Sequence, residues 1–152
     1  MEFHARIEDV PLLCQTILDC LKDEESLAYR LCICVDALAN FPNLGRLPAV
    51  ETVFWEARYS YARTRAAIAL SILCPEFFRQ NLALPCLWDC LDPTREIGVK
   101  MADPSNPAVR ARLAELAADS VGDSEVREAS RAKLSGWYAG KSPAPDSSLP
   151  EA

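Results

Sequence analysis

Apolar residues recur at helical spacing along most of the chain. In "IEDVPLLCQTILDCLK" (7–22), Val10, Leu13, Ile17, Cys20 and Leu21 form one stripe, which Leu12 and Cys14 broaden. That spacing predicts an amphipathic helix. "DEES" follows as a polar break, in which Asp23 or Ser26 suits the cap of a second helix, "SLAYRLCICVDALANF". Pro42, Gly45 and Pro48 end it. A third periodic run, "AVETVFWEARYSYARTRAAIALSILC", is 26 residues long. That is long for one globular helix, so a break is predicted near Ser60. Its second half carries Ala62, Ala66, Ala67 and Ala69, which let a neighbouring helix approach closely.

Pro75 ends or kinks that run. "EFFRQ" is then a short helical turn, and "LALPCLWDCL" an apolar helix starting near Pro85. "DPTREIGVKMADPSNP", broken by three prolines, holds a short helix at most. "AVRARLAELAADSV" and "SEVREASRAKLSGWYA" are the last two helices, joined at 122–123. The Pro- and Ser-rich "GKSPAPDSSLPEA" has no apolar period and is expected to be disordered. No segment alternates with period two. The expected fold is all-α, with one helical-repeat domain over 1–139 and a disordered tail over 140–152.

Self-similarity points to a repeat. "DEESLAYR" and "DPSNPAVR" each place an Asp seven residues before an Arg, at Asp23 and Arg30 and again at Asp103 and Arg110. An Ala- and Leu-bearing helix follows each. "YARTRAAIALSIL" has the same body after Arg65, and "DSEVREASRAKL" compresses the theme through Asp123 and Arg127. Arg30 and Arg65 lie 35 residues apart, whereas Arg65 and Arg110 lie 45 apart. Asp-Cys-Leu occurs twice, at 19–21 and 89–91. Its copies read as the same turn of equivalent helices, with Cys20 and Cys90 facing the core and Asp19 and Asp89 the solvent.

An Asp in the turn, then Val-Arg, then a helix of small residues and Leu resembles the HEAT-repeat family, most closely over residues 103–134. The resemblance implies a short α-solenoid of stacked helical hairpins, with Asp23–Arg30 and Asp103–Arg110 as ties between repeats. An irregular helical bundle is the alternative architecture. For function, the resemblance implies a scaffold that binds another protein, toxin-neutralising immunity proteins being one such class. It also admits an accessory subunit of a cofactor or chromophore lyase system, and an enzyme similar to helical-repeat DNA-base glycosylases.

Composition narrows those choices. The net charge of −6 repels phosphate backbones and disfavours general nucleic-acid binding. No apolar run is long enough to span a bilayer, and "MEFHARIEDV" is no secretory signal, so a cytoplasmic protein is expected. Seven cysteines then read as free buried thiols. His4, the single histidine, falls in a terminal segment, which removes the usual base for a Cys or Ser nucleophile. Cys86 and Cys90 are one helical turn apart, but no CxxC knuckle or second imidazole accompanies them, so no metal is expected. No glycine-rich phosphate loop is present, and no cofactor is expected.

The segment 49–80 carries four bases against three acids and is the one locally basic part of the chain. Within it, "FWEARYSYARTR" (54–65) combines residue types enriched at interface hot spots. Trp55, Arg58, Tyr59 and Arg63 are therefore the candidate partner-binding residues, although the helical pattern turns Trp55 inward. Trp137 and Tyr138 are expected to cover the end of the stack. No catalytic residue is assigned.

Overall fold

A computed structural model of the chain describes residues 5–140, and every regular element among them is helical. A 3-10 turn at Ile7–Asp9 leads into α1 (Val10–Lys22). Then come α2 (Glu24–Leu38), α3 (Pro48–Glu56), α4 (Ser60–Leu73), α5 (Pro75–Asn81) and α6 (Ala83–Cys86). The last three are α7 (Asp92–Met101), α8 (Pro107–Ala118) and α9 (Ser124–Ala139). Local chemistry sets these boundaries. Pro48, Pro75 and Pro107 stand first in their helices, where a missing N–H has no partner to lose. Asn106 accepts from the Ala108 N–H at 2.9 Å, and Asp123 from Glu125 and Val126 at 2.8 and 3.0 Å. The break expected near Ser60 occupies residues 57–59.

Two expectations fail in the middle of the chain. The apolar run around Pro85 leaves its helix at Cys86, and Trp88 and Asp89 lie in a loop. The segment after it, expected to hold a short helix at most, forms the ten-residue α7. Pro93 sits second in that helix and so starts it rather than breaking it.

The helices pack as hairpins: α1 on α2, α3 on α4, α5 and α6 on α7, α8 on α9. The second helices also touch in succession, α2 to α4 to α7 to α9, and form one continuous layer. On the other side of the stack α1 touches α3. The layer has a register. Buried positions 31, 32, 34, 35 and 38 of α2 recur at 66, 67, 69, 70 and 73 of α4, a shift of 35. From α4 onward the shift is 32: Arg63, Arg95 and Arg127 correspond, as do the buried small residues Ala66, Gly98 and Ser130. Arg65 and Arg110, matched on sequence, belong to unlike helices, because α8 opens its hairpin and α4 closes its own. Their 45-residue spacing is therefore not a repeat length.

The core falls into two clusters. One gathers α1 to α6 around Ile17, Leu31, Leu38, Val50, Leu70 and Phe78; the other gathers Leu87, Val99, Val109, Leu113 and Val126. A fully buried Leu or Phe of this kind stabilises by about 1.5–3 kcal/mol. Helix α7 stands between the clusters, with Ile97 and Met101 packed on the first, and Val99, with Ala102 just past the helix end, inside the second. A hydrogen bond of 2.7 Å between the buried Thr64 and Thr94 hydroxyls joins it to α4.

Gly98 brings α7 close to α6. A Cβ there would lie 2.9 Å from the Cys86 Cβ and 3.0 Å from the Leu87 nitrogen. Neither is the far end of a flexible chain. Gly98→Ala should therefore lower the unfolding free energy by about 1–3 kcal/mol. Urea denaturation checks this, and a midpoint equal to wild type would show that the close approach relaxes freely.

Candidate functional site

The turn at 57–59 is held from both sides. The Glu24 carboxylate, at the start of α2, accepts the backbone N–H groups of Arg58 and Tyr59 at 2.9 and 2.8 Å. From within α4, Arg63 donates to the Ala57 carbonyl at 3.1 Å and reaches the Cys90 sulfur at 3.7 Å. Its Nε lies 3.5 Å from the Asp89 carboxylate. The same device recurs down the stack. Arg95 donates to the Asp89 carbonyl at 3.0 Å, and Arg110 to the Pro104 carbonyl at 2.6 Å. Arg127 donates to the Asp119 and Gly122 carbonyls at 3.1 and 3.2 Å. In each of α4, α7, α8 and α9 the fourth helical residue is the arginine that reaches back to the loop before it.

Beside this turn the surface is hollowed. One hollow of about 770 Å³ is lined by residues of the α1–α2 junction together with Glu56, Arg58 and Tyr59. A second of about 540 Å³ runs along α2 past Tyr29, Ile33 and Asp36 to Tyr61 and Arg65. Glu25, Ala28 and Tyr59 line both, so the two join into one groove. Its apolar content is exposed: Tyr29 at 80%, Ile33, Tyr59 and Tyr61 at 43–47%. Tyr29 and Ile33 are one helical turn apart and share a face of α2. The Tyr59 and Tyr61 rings lie 6.0 Å apart. Arg65 stacks on Tyr61 at 4.7 Å, hydrogen-bonds its hydroxyl, and lies 3.4 Å from Asp36. Burial raises the Asp36 pKa, and Arg65 offsets part of that rise.

Of the four residues singled out in the sequence, Arg58 and Tyr59 line this groove. Arg63 does not; its guanidinium is committed to the turn and to Asp89. Trp55 is not turned inward but is 57% exposed on α3, away from the groove, because Phe54 takes the inward position. Its ring meets that of Phe54 edge-on at 4.7 Å. Tyr29 and Ile33 were missed, and Tyr61 and Arg65 lie in the 54–65 strip without having been singled out in it. The signal for the first two was available, since Tyr29 and Ile33 stand outside the apolar stripe of Leu31, Val35 and Leu38.

The expected ties between repeats do not form as pairs. Among the described residues Asp23 makes no ion pair with Arg30, nor Asp103 with Arg110. Asp103 accepts from the Ser105 N–H and hydroxyl at 2.9 and 2.7 Å, which lowers its pKa, while Arg110 takes the Pro104 carbonyl. The Asp-Cys-Leu copies also diverge. Asp19 and Cys20 lie in α1, with Asp19 paired to Lys22 at 2.7 Å and Cys20 buried. Asp89 and Cys90 lie in the loop before α7, where Asp89 faces Arg63 and Cys90 is exposed. At the chain's end Trp137 is half-buried and Tyr138 is 58% exposed.

Chemically the groove offers phenol rings, carboxylates and two arginines. Cys32 at its wall is buried, and burial raises its pKa. No three His, Cys, Asp or Glu side chains among the described residues converge on a metal position. No described helix is long and apolar enough to cross a membrane. His4 and the tail at 141–152 lie outside the described residues. Searches against protein-family models, curated proteins and solved structures find no match to this chain.

Two predictions follow from the wiring and the thiols. Glu24→Ala leaves the Arg58 and Tyr59 N–H groups without their acceptor and should destabilise by about 1–3 kcal/mol. Amide hydrogen exchange at 58 and 59 should quicken with it, and unchanged exchange there would refute the role given to Glu24. Among the thiols, burial pushes Cys86 up to about 12, whereas Cys90 is exposed. Alkylation at neutral pH should therefore show one fast phase that disappears in Cys90→Ser, with the buried thiols reacting on unfolding. A fast phase surviving that substitution would contradict the assignment.

Proposed function

We propose that this chain is a non-catalytic scaffold that binds another protein through the groove between α2 and the 57–61 segment. The observation carrying this reading is the exposure of Tyr29, Ile33, Tyr59 and Tyr61 along one continuous hollow. Helix α2 is the first of its layer and has a layer neighbour on one side only. Terminal units of a helical stack keep a polar outer face in order to stay soluble. Helix α9, at the other end, follows that rule with Glu125, Glu128 and Arg131 exposed. Helix α2 does not, and tyrosine with arginine at an open groove is the composition of interface hot spots.

Nothing in the groove supports catalysis as well as it supports binding. A nucleophile needs an adjacent base, and the groove's one thiol is buried, with its pKa raised. The toxin-neutralising reading is a special case of this proposal, in which the bound protein is a basic toxin. The base-excision reading needs a basic cleft, which the groove's lining does not supply; the lyase-accessory reading needs a reactive thiol, and the exposed Cys90 lies outside the groove.

The test is site-specific photocrosslinking in native extract. A benzoylphenylalanine at Tyr29 should give a discrete protein adduct, and the same probe at Tyr138, exposed but remote from the groove, should not. No adduct at Tyr29, or equal adducts at both sites, would sink the proposal.

A further inference from the structure

Resting on that reading, we infer that the groove takes a basic segment of its partner, with an arginine or lysine seated between Glu25 and Tyr59. The protein contains a filled version of such a seat next door. Arg65 stacks on the Tyr61 ring and lies 3.4 Å from the Asp36 carboxylate, so one cation satisfies a π-face and an acid together. Glu25 and Tyr59 stand where the two hollows join, and there the cation is missing. Among the described residues no cationic side chain stacks on Tyr59, and Glu25 has no ion pair or side-chain hydrogen bond.

The charges around the seat agree. Glu24 is held by the turn, Lys22 by Asp19, and Asp36 with Arg65 by each other. Asp23, Glu25 and Glu56 keep their carboxylates unpaired, against Arg58 as the cation of the groove without a partner. The excess is negative, and it surrounds open aromatic rings. A second copy of this chain is a poor occupant, because two surfaces of net charge −6 repel each other. An acidic segment would meet three free carboxylates.

Titration of the full 152-residue chain with nona-arginine and with nona-glutamate, followed by amide chemical shifts, tests this. Nona-arginine should move the amides of Glu25, Ala28, Tyr29 and Tyr59. Glu25→Gln and Tyr59→Leu should each weaken it about threefold to fivefold. Glu115→Gln and Tyr138→Ala, exposed elsewhere, should leave it unchanged, which separates the seat from diffuse attraction to an acidic surface. Arg58→Gln should tighten it. The inference is overturned by tighter nona-glutamate binding at these amides, by insensitivity to Glu25→Gln and Tyr59→Leu, or by self-association in place of peptide binding. The crosslink at Tyr29 does not depend on peptide charge, so it would stand or fall separately.

Discussion

Three residues between α3 and α4 connect three hairpins. The backbone of 57–59 gives two N–H groups to Glu24 of the first hairpin and one carbonyl to Arg63 of its own. Arg63 carries the connection on to Asp89, in the loop that opens α7. A turn between packed helices leaves backbone polar groups without helical partners, and the part-buried Ala57 carbonyl in particular must find one. Here the partners are charged, and charge-assisted hydrogen bonds are the stronger kind. Together with the core packing and the Thr64–Thr94 hydrogen bond, this turn ties α2 to α4 and α4 to the third hairpin.

The same requirement explains why the arginine at the fourth helical position serves a loop carbonyl even where it also meets an aspartate, as Arg63 meets Asp89 and Arg95 meets Asp92. An exposed Asp–Arg pair is worth about 0–1 kcal/mol, because water solvates both partners well when they separate. A loop carbonyl left unsatisfied beside a helix costs about 1–3 kcal/mol. The arginine at the fourth helical position is within reach of that carbonyl, and Arg63, Arg95, Arg110 and Arg127 all take it. Asp103 and Asp123 instead satisfy N–H groups at the starts of turns and helices. The Asp and the Arg of the motif are thus both present, each bound to backbone.

The groove is a by-product of the stack at its first layer helix. Residues of α2 that face α1 and α4 are Leu, Cys and Val and are buried; those facing away include Tyr29 and Ile33, with no further helix to cover them. The 57–59 turn, fixed by Glu24, then sets Tyr59 beside them. Arg65, three positions after Ala62 in a helix of small buried residues, has room to lie on Tyr61 and meet Asp36. The exposed apolar face arises where the stack of helices runs out of neighbours.

Local pattern was enough for the all-helical class, for most of the helices and for the break near Ser60, because these depend on dihedral preference and on partners within a few residues; the prolines, read as stops, instead begin helices. It was enough to bring Arg58 and Tyr59 to the surface, because they lie in that break. It was not enough for Arg63, whose neighbour Asp89 is 26 positions away, nor for Trp55 against Phe54, where adjacent aromatics compete for one inward position. Asp-Cys-Leu draws the line most plainly. The tripeptide is identical at 19–21 and 89–91, yet Cys20 is buried and Cys90 exposed. The first copy lies inside a helix whose stripe faces a partner helix; the second lies in the loop between α6 and α7. The chain determined by itself that it would fold as helices. Burial and pairing depend on which surfaces meet across the stack, and only the tertiary structure decided that.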